Sequence, residues 1–314
     1  MSTNSQIFSY ALPRGSKLGQ YIIGEVLGHG GFGITYQAYD REKMCTCVIK
    51  ENLCPGCAHR KQGDMHVAPN NPHDPQDVFN WALKHFVREA QLLSQLSHPN
   101  IVPVIKAFRA LGTAYYVMPM IGGKSLSDSP PPCDTLQESW LISKLAHLLS
   151  ALHYLHRKEY LHRDIKPGNI LLTPEGIPIL IDFGSARSII SERSSHYVGS
   201  PGYTPLELLQ KNTPIGPWTD IYSLGATCYF LITGSAPPPS LDRHINPKLY
   251  TPLLKQRELR HRFSTPLLAS IDKALAIDAD QRWQSAFDWY EELRKCTEPT
   301  NSWLSRIVGS VLGK

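Results

Sequence analysis

Between Tyr21 and Lys50 apolar and polar residues alternate, whereas beyond Gly122-Gly123 the apolar residues fall at helical spacing. A period of two buries one face of a strand, and a period near 3.6 buries one stripe of a helix, so a chain that changes period in this way holds two kinds of layer. The strand-like runs are Tyr21-Ile22-Ile23-Gly24-Glu25-Val26-Leu27, Ile34-Thr35-Tyr36-Gln37-Ala38-Tyr39 and Cys45-Thr46-Cys47-Val48-Ile49-Lys50, which read as a meander of three strands. Leu53 to Pro75 is rich in Pro, Gly, Asn and His and reads as an inserted loop. Phe79, Leu83, Phe86, Val87, Ala90, Leu93 and Leu96 then mark a helix that His98-Pro99-Asn100 stops, with further strands expected near 101–107 and 114–118. Trp140, Leu141, Leu145, Leu148, Leu149, Leu152 and Leu155 predict one long helix, and 218–234, 267–277 and 285–293 predict three more. The expected class is α+β with two lobes: a small antiparallel β-sheet lobe with one key helix, then a larger, mainly helical lobe. The expected boundaries are a flexible lead-in at 1–17, a first lobe at 18–120 with its insertion at 53–78, a second lobe at 121–296 and a tail at 297–314.

The 314 residues, 42% hydrophobic and 19% charged, suit a soluble globular chain with an ample core. A net charge of +5 is a mild basic bias without a polybasic arm, so no nucleic-acid partner is called for. Met1 to Gln20 contain no apolar signal core, and no run of about 18 apolar residues exists, so neither secretion nor a transmembrane segment is expected. Seven cysteines, an odd count, read as reduced thiols in the cytoplasm. Cys54-Pro55-Gly56-Cys57, near Cys45, Cys47, His59, His66 and His73, has zinc-ligand spacing; buried or loop thiols, or a redox pair, are the competing readings. Residues 303–312 repeat apolar pairs four apart; such a helix either packs back on the domain or docks weakly on a membrane or partner.

His162-Arg163-Asp164-Ile165-Lys166-Pro167-Gly168-Asn169, followed by Ile181-Asp182-Phe183-Gly184, puts two acids, an amide and two cations on two short loops. That mixture suits phosphoryl transfer from a metal-bound nucleotide. One acid orients the attacking hydroxyl, the amide and the other acid hold metal ions, and the lysine neutralises phosphate oxygens. Gly28-His29-Gly30-Gly31-Phe32-Gly33 fits G-x-G-x-x-G, which alone allows a Rossmann turn, a flap over phosphates or a plain hairpin. A Rossmann turn must open a helix, yet residues 34–39 alternate like a strand, which leaves a hairpin whose backbone can approach phosphate oxygens. Gly123-Lys124-Ser125 is no P-loop, because Met118 stands where that pattern needs glycine.

Taken in order, these segments resemble the motifs of protein kinases, specifically the eukaryotic-like serine/threonine kinases of bacteria, over roughly Tyr21 to Leu293. The resemblance implies ATP-dependent phosphorylation of serine or threonine on protein substrates, autophosphorylation of the activation loop, and Mg2+ with Mn2+ as a substitute. It assigns nucleotide binding to Leu27, Gly28, Gly30, Gly31, Gly33, Thr35, Val48, Lys50, Met118 and Ile121. Lys50 would reach the phosphates with Glu89 as its partner, Met118 would be the gatekeeper, and the adenine would meet the Pro119 carbonyl and the Ile121 N–H. Asp164 would be the catalytic base, Lys166 would stabilise the transferring phosphoryl group, and Asn169 and Asp182 would hold metal. Phe183 would pack beneath the helix that bears Glu89, His162 reads as structural, and Arg163 suggests control by an anionic activation segment. Ser188, Ser191, Ser194, Ser195 and Tyr197 are the candidate phosphorylation sites of that segment. Ser200 would lie near Asp164 and Lys166, Arg282 would pair with Glu207, and Asp220 would brace the catalytic loop. The chain departs from the family mildly at Thr35 and also at Val48 and Pro205-Leu206-Glu207, and an ATP-binding scaffold with little turnover is the alternative that the last two motivate.

Overall fold

The computed structural model describes residues 10–30, 33–53, 56–61, 64–73, 78–188 and 199–296. These fall into two compact units, one of residues up to 97 together with 102–121, the other of 98–101 together with the residues from 122.

The first unit is built on a six-stranded antiparallel sheet. Its spatial order is β1 (Lys17–Leu18), β2 (Tyr21–Gly30), β3 (Gly33–Asp40), β4 (Cys45–Glu51), then β8 (Thr113–Pro119) and β7 (Lys106–Ala110). Alternation is kept where it was expected: Ile34, Tyr36 and Ala38 on β3 and Cys47, Ile49 and Glu51 on β4 are buried, while Val48 and Lys50 are half-buried. Helix α1 (Val78–Ser94) packs on β7 and β8 and buries Ala82, Leu83, Phe86, Glu89, Ala90, Leu92 and Leu93. The strand expected near 101–107 starts only at Lys106. Pro103 has no N–H to give a ladder, so Ile101 makes a single bridge to Leu180 and the first backbone bond to β8 comes from Ile105 N–H to the Val117 carbonyl, 2.7 Å.

The segment read as an inserted loop contains a hairpin, β5 (Ala58–Arg60) with β6 (Val67–Pro69), and its Cys57, Ala58 and Val67 join the core of the sheet. Within residues 10–16, read as lead-in, Leu12 lies in the same core with Ala11 packed against it, and the Leu12 N–H donates to Tyr36 Oη at 3.0 Å. One carboxylate gathers these parts. Glu51 has no exposure to water, and it accepts from Tyr36 Oη at 2.7 Å, from Tyr115 Oη and from both terminal nitrogens of Arg60. Arg60 donates further to the carbonyls of Met65 and Tyr10. Burial, then the charge of Glu51, pushes both phenols far above the usual tyrosine range.

The second unit rests on helix packing. Helix α2 (Glu138–Arg157) carries the predicted stripe, with Leu141, Leu145, Leu148, Leu149, Leu152 and Leu155 all buried. Two short helices follow the loops, α3 (Leu206–Leu209) and, after the long α4 (Pro217–Thr233), α5 (Ser240–Ile245); then come α6 (Arg257–Arg262), α7 (Thr265–Ala274) and α8 (Ala286–Cys296). Helix α2 packs on α8 and α4 on α7; a Cβ on Gly225 would stand 2.9 Å from that of Ala274, so glycine permits this close crossing. Small strands carry the loops of interest. A three-stranded sheet joins β9 (Lys124–Ser125), β11 (Ile170–Leu172) and β12 (Pro178–Leu180), and β10 (Tyr160–Leu161) pairs with β13 (Arg187–Ser188). Among the described residues no helix is long and apolar enough to cross a membrane.

Two measurements test this architecture. Arg60→Met leaves Glu51 charged, buried and without its cation, and should lower unfolding stability by ~3–5 kcal/mol in urea titration, most of it recovered by adding Glu51→Gln. His98 accepts from Asn100 N–H at 3.1 Å and lies 3.1 Å from Ser150 Oγ. Burial, reinforced by His147, lowers its pKa from 6.5 to about 4. The unfolded chain therefore takes up this proton first, so the stability it contributes is complete above pH 6.5 and is lost as pH falls towards about 4. Denaturation midpoints at pH 7 and at about pH 5 should differ less for His98→Gln than for the wild-type chain.

Candidate active site

In the first unit, the glycine segment is a hairpin, as its alternation predicts. Gly28 pairs with Thr35, His29 with Ile34 and Gly30 with Gly33, after register shifts at Ile23/Val26 and Val26/Gly28. Gly31 lies outside the described residues. A Cβ on Gly33 would stand 2.0 Å from the Glu51 carbonyl oxygen, so the start of β3 can approach β4 only as glycine. Leu27 is exposed just before Gly28, and Thr35 is half-buried opposite Lys50. Val48 and Met118 are register partners on β4 and β8, with Cys47 facing Pro119, and Ile121 is half-buried just beyond β8.

Lys50 and Glu89 are brought together. Nζ stands 3.0 Å from Glu89 Oε1, the side chains 12% and 4% exposed, so this ion pair is shielded from water and from salt. Glu89 Oε1 also accepts from Tyr116 Oη at 2.6 Å. The tyrosine was not foreseen: inside an apolar strand, its ring reads as core and its hydroxyl has no sequence signature.

In the second unit, antiparallel pairing of β11 with β12 sets Asn169 beside Ile181, whose N–H donates to the Asn169 carbonyl at 3.0 Å. The two motif loops therefore share one end of the small strands. Asp164 Oδ2 accepts from Lys166 Nζ at 2.8 Å and from Asn169 Nδ2 at 2.9 Å, and Oδ1 accepts from Ser200 Oγ at 3.0 Å. Lys166 Nζ also donates to Ser200 Oγ at 2.9 Å, which closes a ring of carboxylate, ammonium and hydroxyl. His162 is buried, with Nε2 at 3.2 Å from the Ile181 carbonyl and its ring at 4.5 Å from that of Phe183, a structural place as expected.

Asp220 holds this loop from behind. It is inaccessible to water; Oδ1 accepts from Arg163 N–H at 2.8 Å, and Oδ2 accepts from His162 N–H at 2.9 Å and lies 2.8 Å from His156 Nε2. Burial alone would raise its pKa, but the bond and charge of His156, then His162 and the Arg163 N–H, outweigh that and hold it below the usual carboxylate range. Arg163 has φ 69° and Asp182 φ 59°, left-handed conformations that cost a residue other than glycine roughly 1–3 kcal/mol. Further on, Glu207 and Arg282 form a buried two-point pair, 2.7 and 3.1 Å, although Pro205-Leu206 departs from the family pattern before it. Arg282 also donates to the carbonyls of Ala276, Ile277 and Trp218.

The oxygen donors present suit a hard divalent cation. Asn169 Nδ2 is anchored twice on Asp164, to the carbonyl at 2.7 Å and to Oδ2, which turns its amide oxygen the other way. Asp182 is exposed on the neighbouring loop. Among the described residues no three His, Cys, Asp or Glu side chains are grouped to hold a metal. Cys45, Cys47 and Cys57 are free thiols, with burial and then Asp40 pushing Cys47 up to about 11; Cys54 lies outside the described residues. So do Ser191, Ser194, Ser195, Tyr197 and the tail at 303–312.

The protein kinase domain family matches residues 21–288. The chain is 32% identical over 292 residues to serine/threonine-protein kinase PknA of Nostoc sp., covering 88% of this chain and 47% of that protein. It is 31% identical over 283 residues to serine/threonine-protein kinase C of Synechocystis sp., with 85% and 48% covered. The chain thus spans about half the length of these curated relatives. Among solved structures, the apo form of PpkA-294 is similar at a TM-score of 0.79 and 34% identity, over 91% of this chain and 100% of that one. Sheet unit, helical unit and motif loops together have the two-lobed kinase fold, and the chain belongs to the protein kinase family, among the eukaryotic-like serine/threonine kinases of bacteria.

Proposed function

We propose that this chain transfers the terminal phosphoryl group of ATP to serine or threonine hydroxyls of protein substrates, and to hydroxyls of its own activation segment. The observation that carries the reading is the ring of Asp164, Lys166 and Ser200. There a carboxylate oxygen already accepts from an aliphatic hydroxyl at 3.0 Å while an ammonium stands 2.8 Å from the carboxylate and 2.9 Å from the hydroxyl. A substrate hydroxyl in the same relation to Asp164 has its proton directed to a base and its oxygen left to attack.

Each remaining residue has one task. Lys50, steered by Glu89, neutralises phosphate oxygens; Lys166 offsets charge on the group in flight; Asn169 and Asp182 supply oxygens to Mg2+, or to Mn2+ in its place. When bound, such a cation would supply charge neutralisation for the phosphate oxygens. Val48 and Met118 border the base, and the carbonyl of Pro119 with the N–H of Ile121 are the backbone groups offered to it. Leu27, Gly28, Gly30, Gly31, Gly33 and Thr35 form the flap. The departure at 205–206 leaves the Glu207–Arg282 pair intact, which supports turnover over a scaffold role. The cytoplasm is the compartment we propose, since an odd cysteine count fits reduced thiols.

Lys50→Met and Asp182→Asn should each lower incorporation of radiolabelled phosphate by about a thousandfold or more, equivalent to ~4 kcal/mol of transition-state stabilisation. Wild-type incorporation by either variant would refute the assignment. Chelation of divalent ions should abolish transfer, Mg2+ or Mn2+ should restore it, and mass spectrometry should then find phosphate on Ser188, Ser191, Ser194 or Ser195.

A further inference from the structure

Two tyrosines that follow one another on β8 each give their hydroxyl to a different buried carboxylate. Tyr115 donates to Glu51, and Tyr116 donates to Glu89 Oε1 at 2.6 Å. The register sets Tyr115 opposite Glu51 and Tyr116 opposite Lys50, so the pairs lie on opposite faces of the sheet. Tyr116 is 1% exposed, its ring stacks on Phe86 of α1 with centroids 5.0 Å apart, and Lys50 Nζ lies 5.6 Å from its centroid. One side chain thus touches the helix, the carboxylate and the ammonium.

We propose that Tyr116 is a positioning residue for nucleotide binding: it holds Glu89 so that the Lys50 ammonium is presented to phosphate. The inference rests on the reading of Lys50 as the phosphate-binding cation. Glu89 Oε1 accepts from both Lys50 Nζ, at 3.0 Å, and Tyr116 Oη. When an ammonium shares its protons with a phosphate, its hold on the carboxylate weakens. A buried carboxylate with no second donor would then follow the cation or turn away. The phenol donates from a rigid ring placed by packing on Phe86, so its bond does not depend on where the ammonium goes. Glu89 keeps its orientation, and the far end of the Lys50 side chain keeps its anchor.

The test compares Tyr116→Phe with Tyr115→Phe. Each loses one buried hydroxyl bonded to a carboxylate and keeps its ring, so both should fold; thermal unfolding confirms that. For Tyr116→Phe, kcat/KM for ATP should fall about tenfold, chiefly through KM, and Kd for Mg·ATP by calorimetry should rise to match. For Tyr115→Phe, both should stay within about twofold of wild type. In a Glu89→Ala background, which leaves the phenol no acceptor at this position, Tyr116→Phe should add less than about twofold. Wild-type parameters for Tyr116→Phe, equal losses at both tyrosines, or an undiminished effect in the Glu89→Ala background would each overturn the proposal. A wild-type chain that binds Mg·ATP without transferring phosphate refutes the catalytic reading alone, since the Kd comparison still decides this one; a chain that binds no Mg·ATP refutes both.

Discussion

A carboxylate sealed from water must find its donors inside the protein, and Asp220 finds them in the backbone of residues 162 and 163 and in His156. Just past those two N–H groups Arg163 takes its left-handed conformation, which turns the chain that leads into Asp164. The next residue is Asp164, so the backbone that Asp220 anchors is the one from which the proposed base projects. From Asp164 the bonds pass to Lys166, Asn169 and Ser200. The chemistry-bearing loop is therefore set by a residue more than fifty positions away, on a helix with no other part in that chemistry.

The same device recurs with different donors. Glu207 is met by one arginine and the Thr219 hydroxyl, Glu51 by an arginine and two phenols, Glu89 by a lysine and one phenol. Buried ion pairs add little net stability, because desolvation offsets most of their attraction, whereas mispaired they are costly. We read them as devices of specificity that exclude neighbouring arrangements of strand and helix. In Glu51 the device is turned inward to the inserted hairpin and the first packed residues; in Glu89 it faces the proposed nucleotide.

What the sequence discloses is set by the range of the interaction. The loops 162–169 and 181–184 are legible because their chemistry needs particular residue types within a few positions. The long helix is legible because Leu141 to Leu155 repeat on one stripe. Asp220, Glu207 and Arg282 became legible only through the family pattern, since nothing local marks their partners. Tyr116 and Arg60 were not legible at all. Tyr116 meets a carboxylate 27 positions away, and Arg60, among prolines, glycines and histidines, resembles a solvated loop cation. Pro103 misled in the opposite sense, as apolar neighbours on both sides suggested a strand that its missing N–H prevents.

The contacts of Tyr10 and Leu12 bear on where this domain starts. The family match begins at residue 21, yet the Tyr10 carbonyl receives the Arg60 guanidinium and Leu12 lies 3% exposed in the sheet's core. A recombinant version trimmed to the family boundary would strip a lid from the core and a ligand from a buried cation. A folded unit that keeps both contacts accordingly reaches back to Tyr10.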